Sequence, residues 1–192
     1  MITFGAKIPI AKCRIQNRET EKFENATIYE YTCDDAKDIA AIKRITANFD
    51  WIYGYDIYTN AWWKYAKDEE YNHNKFYAIE NNHGKTIGLC ETKENSDIII
   101  EFLEAHESKK YRFVGQNILA ALAKKALINR GKKLIIQDAQ AGAMKFYRSD
   151  CGFIHEAKHD DSVDFIVNRH QLYKLIQQTE NRTQGQIINL SL

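Results

Sequence analysis

Short apolar runs of strand character open the chain: ITF, AKIPIAKCRI and ATIYEY, divided by the polar stretch QNRETEKFEN. Pro9 lacks a backbone donor, so its run is expected at a sheet edge or in an arm. The period then changes. In CDDAKDIAAIKRITANF, Ile39, Ile42 and Ile45 fall three apart, which predicts an amphipathic helix that Asp34 or Asp35 can cap. An aromatic-rich stretch, FDWIYGYDIYTNAWWKY, follows, and its second half is expected as another helix. β-type runs return in KFYAIE, KTIGLCETKE and DIIIEFLEAH, punctuated by NNHG and NS as hairpin turns are.

The stretch YRFVGQNILAALAKKALINRG switches back to a helical period. Ile118, Leu122 and Ala126 form one stripe beside Leu119, Ala123 and Leu127, while Lys124, Lys125 and Arg130 lie off it and Gly131 offers a left-handed stop. KKLIIQDA is nearly continuously apolar, as a strand covered on both faces would be. AGAMKFYRS reads as a short helix ended by DCGF, VDFIVNR as a strand, HQLYKLIQQ as a helix and TENRTQGQIINLSL as a tail. There is no internal repeat. The pattern predicts an α/β protein of the α+β type.

Composition narrows this only slightly. A chain of 192 residues suffices for one domain, and 44% hydrophobic with 28% charged residues is a globular balance. Lys plus Arg number 27 against 26 acids, so a net charge of +1 gives no general attraction to nucleic acid or to an anionic membrane. Neither a signal-peptide core nor a spanning run is visible, so a cytoplasmic location is expected. Cys13, Cys33, Cys90 and Cys151 lie far apart, with no metal-ligand spacing; reduced thiols and no metal are expected.

The front of the Val114 helix is the chemically suggestive point. A helix's first turn carries unpaired N–H groups, equivalent with the macrodipole to roughly half a positive charge. Gly115 lets backbone approach a ligand, and Lys109, Lys110 and Arg112 add full charges, so a phosphate or diphosphate suits the place. Neither GxxxxGK[ST] nor a dinucleotide glycine pattern is present.

Order along the chain adds a resemblance. DIIIEFLEAH, then Arg112-Phe113-Val114-Gly115-Gln116-Asn117, then AGAMKFYRSDCGF with Phe146-Tyr147 and Gly152-Phe153, resemble the fourth strand, diphosphate loop and late helix of the GNAT superfamily of acyl-CoA-dependent N-acyltransferases. The likeness runs from about Ala26 to Ile176, leaving residues 1–25 as a β-type arm or extension and 177–192 as a tail. It implies a GNAT-like mixed, mostly antiparallel central sheet, splayed between the fourth and fifth strands, with helices on both faces. It also implies a cofactor, acetyl-CoA, its diphosphate on the N–H groups from Phe113 to Asn117 and its pantetheine along Leu103 and Ala105, facing Gln137 to Ala139. Asn117 departs from the family's Gly or Ala.

By the same resemblance Tyr147 is the group beside the thioester sulfur, a proton donor to the leaving thiolate. Neutralising a lysine-like amine at pH 7 costs about 4.6 kcal/mol, so a base is useful. Glu101 and Glu104 differ by an odd number and are expected on opposite faces, with Glu101 on the face of Leu103 and Ala105 and therefore favoured; His106 is the alternative. Trp51, Tyr53, Tyr55, Tyr58, Trp62 and Trp63, amid more acids than lysines, could receive a cationic amine. The expected activity is acetyl transfer from acetyl-CoA to a primary amine of a small molecule or peptide, the alternative being a non-catalytic acyl-CoA-binding module. No nucleic-acid or membrane partner is expected, and the apolar arm and tail could pair across a homodimer.

Overall fold

The punctuated apolar runs assemble into one ten-stranded sheet with helices on both faces. The computed structural model describes residues 7–32, 36–47, 74–105, 110–129, 132–154, 156–158 and 162–190. The strands are β1 (Ile8–Asn17), β2 (Phe23–Thr32), β3 (Asn74–Asn81), β4 (Thr86–Glu94), β5 (Ile98–Ala105), β6 (Tyr111–Arg112), β7 (Leu134–Ala139), β8 (Glu156–Lys158), β9 (Val163–Val167) and β10 (Ile188–Asn189). They lie in the order β10-β1-β2-β3-β4-β5-β7-β9-β8, with β6 also on β1. Every pairing is antiparallel except β5 with β7. The described helices are α1 (Ala36–Ala47), α2 (Val114–Ile128) and α3 (Arg169–Thr183). None is long and apolar enough to cross a membrane.

Each helix sits where its apolar stripe finds a sheet face. α2 is buried almost all round, from Val114 to Ala126, because the sheet lies on one side and α3 on the other. Its run of Ala120, Ala121 and Ala123 keeps both approaches close. α3 starts in a capping box, Asn168 accepting from the Gln171 N–H while the Gln171 side chain accepts from the Asn168 N–H. α1 covers the opposite face with Ile42 packed against Tyr31, Phe76, Ala78 and Leu89. Cys13, Cys90 and Cys151 are free, buried thiols; burial pushes Cys13 up to about 12 and raises the other two, so all three stay protonated.

The two ends of the chain meet in the sheet. Of the residues before Ala26, those of β1 lie in the sheet: β1 pairs with β2 from Ile8↔Glu30 to Gln16↔Phe23 and buries Ile10, Cys13 and Ile15. The apolar tail pairs with it inside the same chain, through Ala11↔Asn189, Lys12↔Ile188 and a Leu190 N–H to Ile10 O bond of 2.8 Å. Each supplies an edge for the other. Pro9 is tolerated because β10 reaches only Ala11 and Lys12, leaving that end of β1 as an edge. The short strands β6 and β8 carry no alternation long enough to read; β8 is tied by the Arg148 guanidinium to Glu156 at 2.6 and 2.9 Å. The Asp34, Asp35, Cys33 and Gly131 expectations lie outside the described residues.

Gly88 of β4 sets how near α2 can come. A methyl group there would lie 2.4 Å from Val114 Cγ1 and 2.9 Å from Ile79 Cγ2. Gly88→Ala is therefore expected to destabilise by about 1–3 kcal/mol through overpacking, read as a lower urea midpoint at unchanged slope.

The far end of α2 carries a buried ion cluster. Lys125 Nζ lies 2.8 Å from Glu30 Oε2, 2.9 Å from Glu94 Oε2 and 2.7 Å from the Tyr77 hydroxyl. Lys75 Nζ is 2.5 Å from Glu30 Oε1. Tyr77 donates to Glu94 Oε1 at 2.5 Å, and Thr92 donates to the same oxygen at 3.3 Å. Two lysines against two carboxylates leave no net charge inside the fold, and Lys125 also complements the negative end of the helix.

Candidate active site

The sheet opens beside β5. β5 and β7 pair at three positions only, Ile98↔Leu134, Ile99↔Ile135 and Ile100↔Ile136. Counted along this chain the splayed strands are β5 and β7, because β1 belongs to the sheet and β6 intervenes. Both strands carry a local irregularity where they part. On β5, Ile100 faces Thr92 while Phe102 faces Glu91, so Glu101 is an extra residue. On β7, Ile136 faces Phe165 while Ala139 faces Val163, and Asp138 takes a positive φ of 50°. The Asp138 N–H donates to Asp164 Oδ1 at 2.8 Å, and its carboxylate accepts from Ser162 Oγ at 2.8 Å. That kink turns β7 aside and leaves the β5 backbone from Glu101 to Ala105 with β4 on one edge and the opening on the other.

The front of α2 stands at this opening. β6 anchors the loop on β1 through Gln16↔Arg112 and Asn17↔Tyr111. Phe113 then adopts the left-handed region, φ 68° and ψ 12°, as the N-cap, with no side-chain cap bond. Its ring stacks on Phe23 at 6.5 Å and 10°. The first intrahelical bond runs from the Asn117 N–H to Phe113 O, 3.0 Å. The N–H groups of Val114, Gly115 and Gln116 precede it and point forward, while that of Asn117 is committed to the helix. A left-handed residue followed by helical ones makes an anion-binding concavity of such amides. No acid occupies the first turn. Arg112 is exposed, Lys110 lies 3.4 Å from Glu19 at the surface, and Lys109 lies outside the described residues.

Gly115 does more than admit a ligand. A methyl group there would be 3.0 Å from Phe146 Cζ and 3.7 Å from Leu103 Cδ2, so the helix front, the open edge of β5 and the late helical segment touch at this glycine. The late segment is a 3-10 turn (Ala141–Ala143) followed by a π-helical turn (Phe146–Asp150). Tyr147 within it is buried, its ring 5.1 Å from Phe146, 5.4 Å from Phe165 and 6.3 Å from Phe153. Its hydroxyl makes no hydrogen bond among the described residues. Burial, and then the neighbouring thiols of Cys90 and Cys151, push the phenol well above its ordinary range, so it can donate a proton but is not a base at neutral pH.

The strand parity behind the choice of base does not hold. Leu103 faces Cys90 and Ala105 faces Gly88, whereas Glu104 faces Leu89, whose side chain belongs to the core under α1. The extra residue resets the alternation at Glu101, and the cation acting on that carboxyl is Lys93, two positions from Glu91 along β4. Glu101 therefore does not share a face with Leu103 and Ala105 by simple counting. Its side chain is exposed at the bulge, yet desolvation by the surrounding protein raises its carboxyl, with Lys93 opposing. Glu104 is buried. His106 and the aromatic set from Trp51 to Trp63 lie outside the described residues. Among the described residues no cluster of three or more metal-ligating side chains occurs.

Two contributors escaped sequence reasoning. Asp138 gives no signal before its φ is known. Asn117 was legible as a departure from pattern, but not as a side chain donating to both Arg14 O and Phe113 O.

No family model matches the chain, and no curated protein matches it. Solved structures do. A mutant of the toxin AtaT, bound to the C-terminus of the antitoxin AtaR and to acetyl-CoA, is similar at 14% identity, covering 79% of this chain and 98% of that one with a TM-score of 0.55. The GNAT-family acetyltransferase of Staphylococcus aureus Mu50 is similar at 13% identity, 75% and 99% coverage and a TM-score of 0.52. Tetrahymena GCN5 is similar at 12% identity, 73% and 95% coverage and a TM-score of 0.52. The splayed, mostly antiparallel sheet of this chain, with helices on both faces, is thus a GNAT-like fold.

Proposed function

We propose that this protein is an N-acetyltransferase that moves an acetyl group from acetyl-CoA to a primary amine. The observation that carries the reading is the meeting of three parts at Gly115: forward-pointing amides, an open strand edge at Leu103, and the segment bearing Tyr147. The amides of Val114, Gly115 and Gln116 hold the diphosphate, aided by the exposed Arg112. The β5 backbone at Leu103 and Ala105 hydrogen-bonds the pantetheine amides, as an added strand would. Bound acetyl-CoA supplies an acetyl group already activated as a thioester.

The chain's own residues then handle two protons. Glu101, its carboxyl raised toward neutrality, takes the proton of the incoming ammonium at the bulge, directly or through water. Tyr147 gives its proton at the sulfur end, where its high pKa keeps it loaded. A base by the bulge and an acid in the buried aromatic cluster leave both reaction partners their own approach. The structural neighbours include an acetyl-CoA complex, which accords with this reading.

Ligand-linked stability tests it. Acetyl-CoA at about 100 times its dissociation constant is expected to add about 2.7 kcal/mol, seen as a rise in Tm of about 5–10 °C. Free thiol should then appear when a panel of primary amines is added. No shift in Tm at millimolar acetyl-CoA would remove the proposal.

A further inference from the structure

We propose that Asn117 is a positioning residue for the diphosphate cradle: its side-chain amide locks Phe113 in the left-handed conformation that turns the N–H groups of Val114, Gly115 and Gln116 to one point. The inference rests on the acyl-CoA reading above.

Asn117 Nδ2 lies 2.8 Å from Arg14 O and 2.9 Å from Phe113 O. Only the NH2 end of an amide can stand between two carbonyls, so the orientation of the group is set by chemistry. The backbone N–H of Asn117 also donates to Phe113 O, at 3.0 Å. One residue thus gives two hydrogen bonds to the carbonyl of the N-cap and fixes the peptide plane that follows it. A third bond fastens the same side-chain amide to β1.

The need for such a fastening is local. Phe113 is not a residue that rests at φ 68°, and it has no side-chain cap bond. Glycine would take this conformation unaided, whereas phenylalanine gains its stack on Phe23 and needs the position held from outside. Asn117 is fully buried, and its Oδ1 is buried without a hydrogen-bond partner among the described residues, a cost that a helix-forming alanine would avoid. The side chain is therefore kept for what its NH2 does. Arg14 belongs to β1, so the first strand of the chain acts on the cradle through this amide.

The test compares acetyl-CoA with S-acetylpantetheine, the same thioester arm without the diphosphate and nucleotide. Asn117→Ala is expected to weaken acetyl-CoA binding at least tenfold and leave kcat/KM for S-acetylpantetheine within twofold. Asn117→Ser, whose hydroxyl can donate to the carbonyl four residues back, is expected to stay within threefold of wild type for acetyl-CoA. Phe113→Gly combined with Asn117→Ala should regain most of the loss, because glycine needs no tether. Equal losses on both thioesters, unchanged acetyl-CoA binding, or no rescue by glycine would overturn the proposal. If Asn117→Ala alone melts below the assay temperature, Phe113→Gly is compared with Phe113→Gly/Asn117→Ala: equal acetyl-CoA affinities support the tether and a tenfold gap overturns it. Failure of the wild-type protein to bind acetyl-CoA at all is a distinct result, and it removes the functional reading before any variant is made.

Discussion

Tyr147→Phe is expected to slow acetyl transfer about 100-fold while leaving the dissociation constant of acetyl-CoA within threefold. The ring stays among Phe146, Phe153 and Phe165, so the packing that shapes the site survives. The lost hydroxyl holds no other described residue, and stability should change by less than about 1 kcal/mol. What disappears is a proton donor, a contribution that runs at about 10²–10⁴-fold. Since burial keeps the phenol loaded far above neutral pH, the wild-type rate should not fall on the alkaline side at pH 8 or 9 on its account. Steady-state thiol release with calorimetric binding measures both quantities. A variant as fast as wild type would remove the acid role. Binding with no thiol release even in the wild type would favour a non-catalytic acyl-CoA module.

The second large effect lies at the other end of α2. Lys125→Met is expected to destabilise the fold by about 3 kcal/mol at pH 7, because it strands Glu30 and Glu94 in a buried cluster with Lys75 alone. In the wild type, burial would raise Glu30, but Lys125 and then Lys75 outweigh it and hold the carboxyl below its usual range. Its stabilisation is therefore full above the ordinary carboxylate value of about 4.3 and is lost as pH falls through the lowered one. Lys75 is shifted the other way: burial lowers it, yet Glu30 and Glu94 raise it on balance. Its contribution is full below the ordinary lysine value of about 10.4 and fades as pH rises beyond it. Without Lys125 the depression of Glu30 weakens, and protonation relieves the variant. Urea midpoints should differ most near neutrality and converge toward pH 4; a gap that widens in acid would refute the cluster's role.

Much of this architecture was legible because it follows local periodicity. The stripe of Ile118, Leu122 and Ala126 lies buried in α2, and the NNHG and NS breaks separate β3, β4 and β5. The acid-free, glycine-bearing start of α2 was also legible, and electrostatics alone suggested an anion there. What sequence reasoning lost was non-local or depended on single dihedral angles. Parity counting put Glu101 with Leu103, which is sound for a regular strand and fails across one extra residue. The apolar ends were read as unpaired edges, and nothing in their composition says that Ile188 meets Lys12 of the same chain. The splay was expected only from resemblance, since a positive φ at Asp138 leaves no trace in the hydrophobic pattern. Asn117 shows the reverse case: an odd residue in a familiar place, meaningful only once its two acceptors are seen.

Glu101 and Asp138 make this fold sensitive to chain length at two single codons. Excising Asp138 would let the strand run straight, and its freed amides would zip onto β5 beyond Ile100. Excising Glu101 would join Ile100 directly to Phe102 and continue the ladder with β4 unbroken, leaving Leu103 opposite Cys90 but taking the carboxylate away from the opening. A chain shortened at the first point would fold into an unbroken wall, and one shortened at the second would keep its lining but lose the acid set into it.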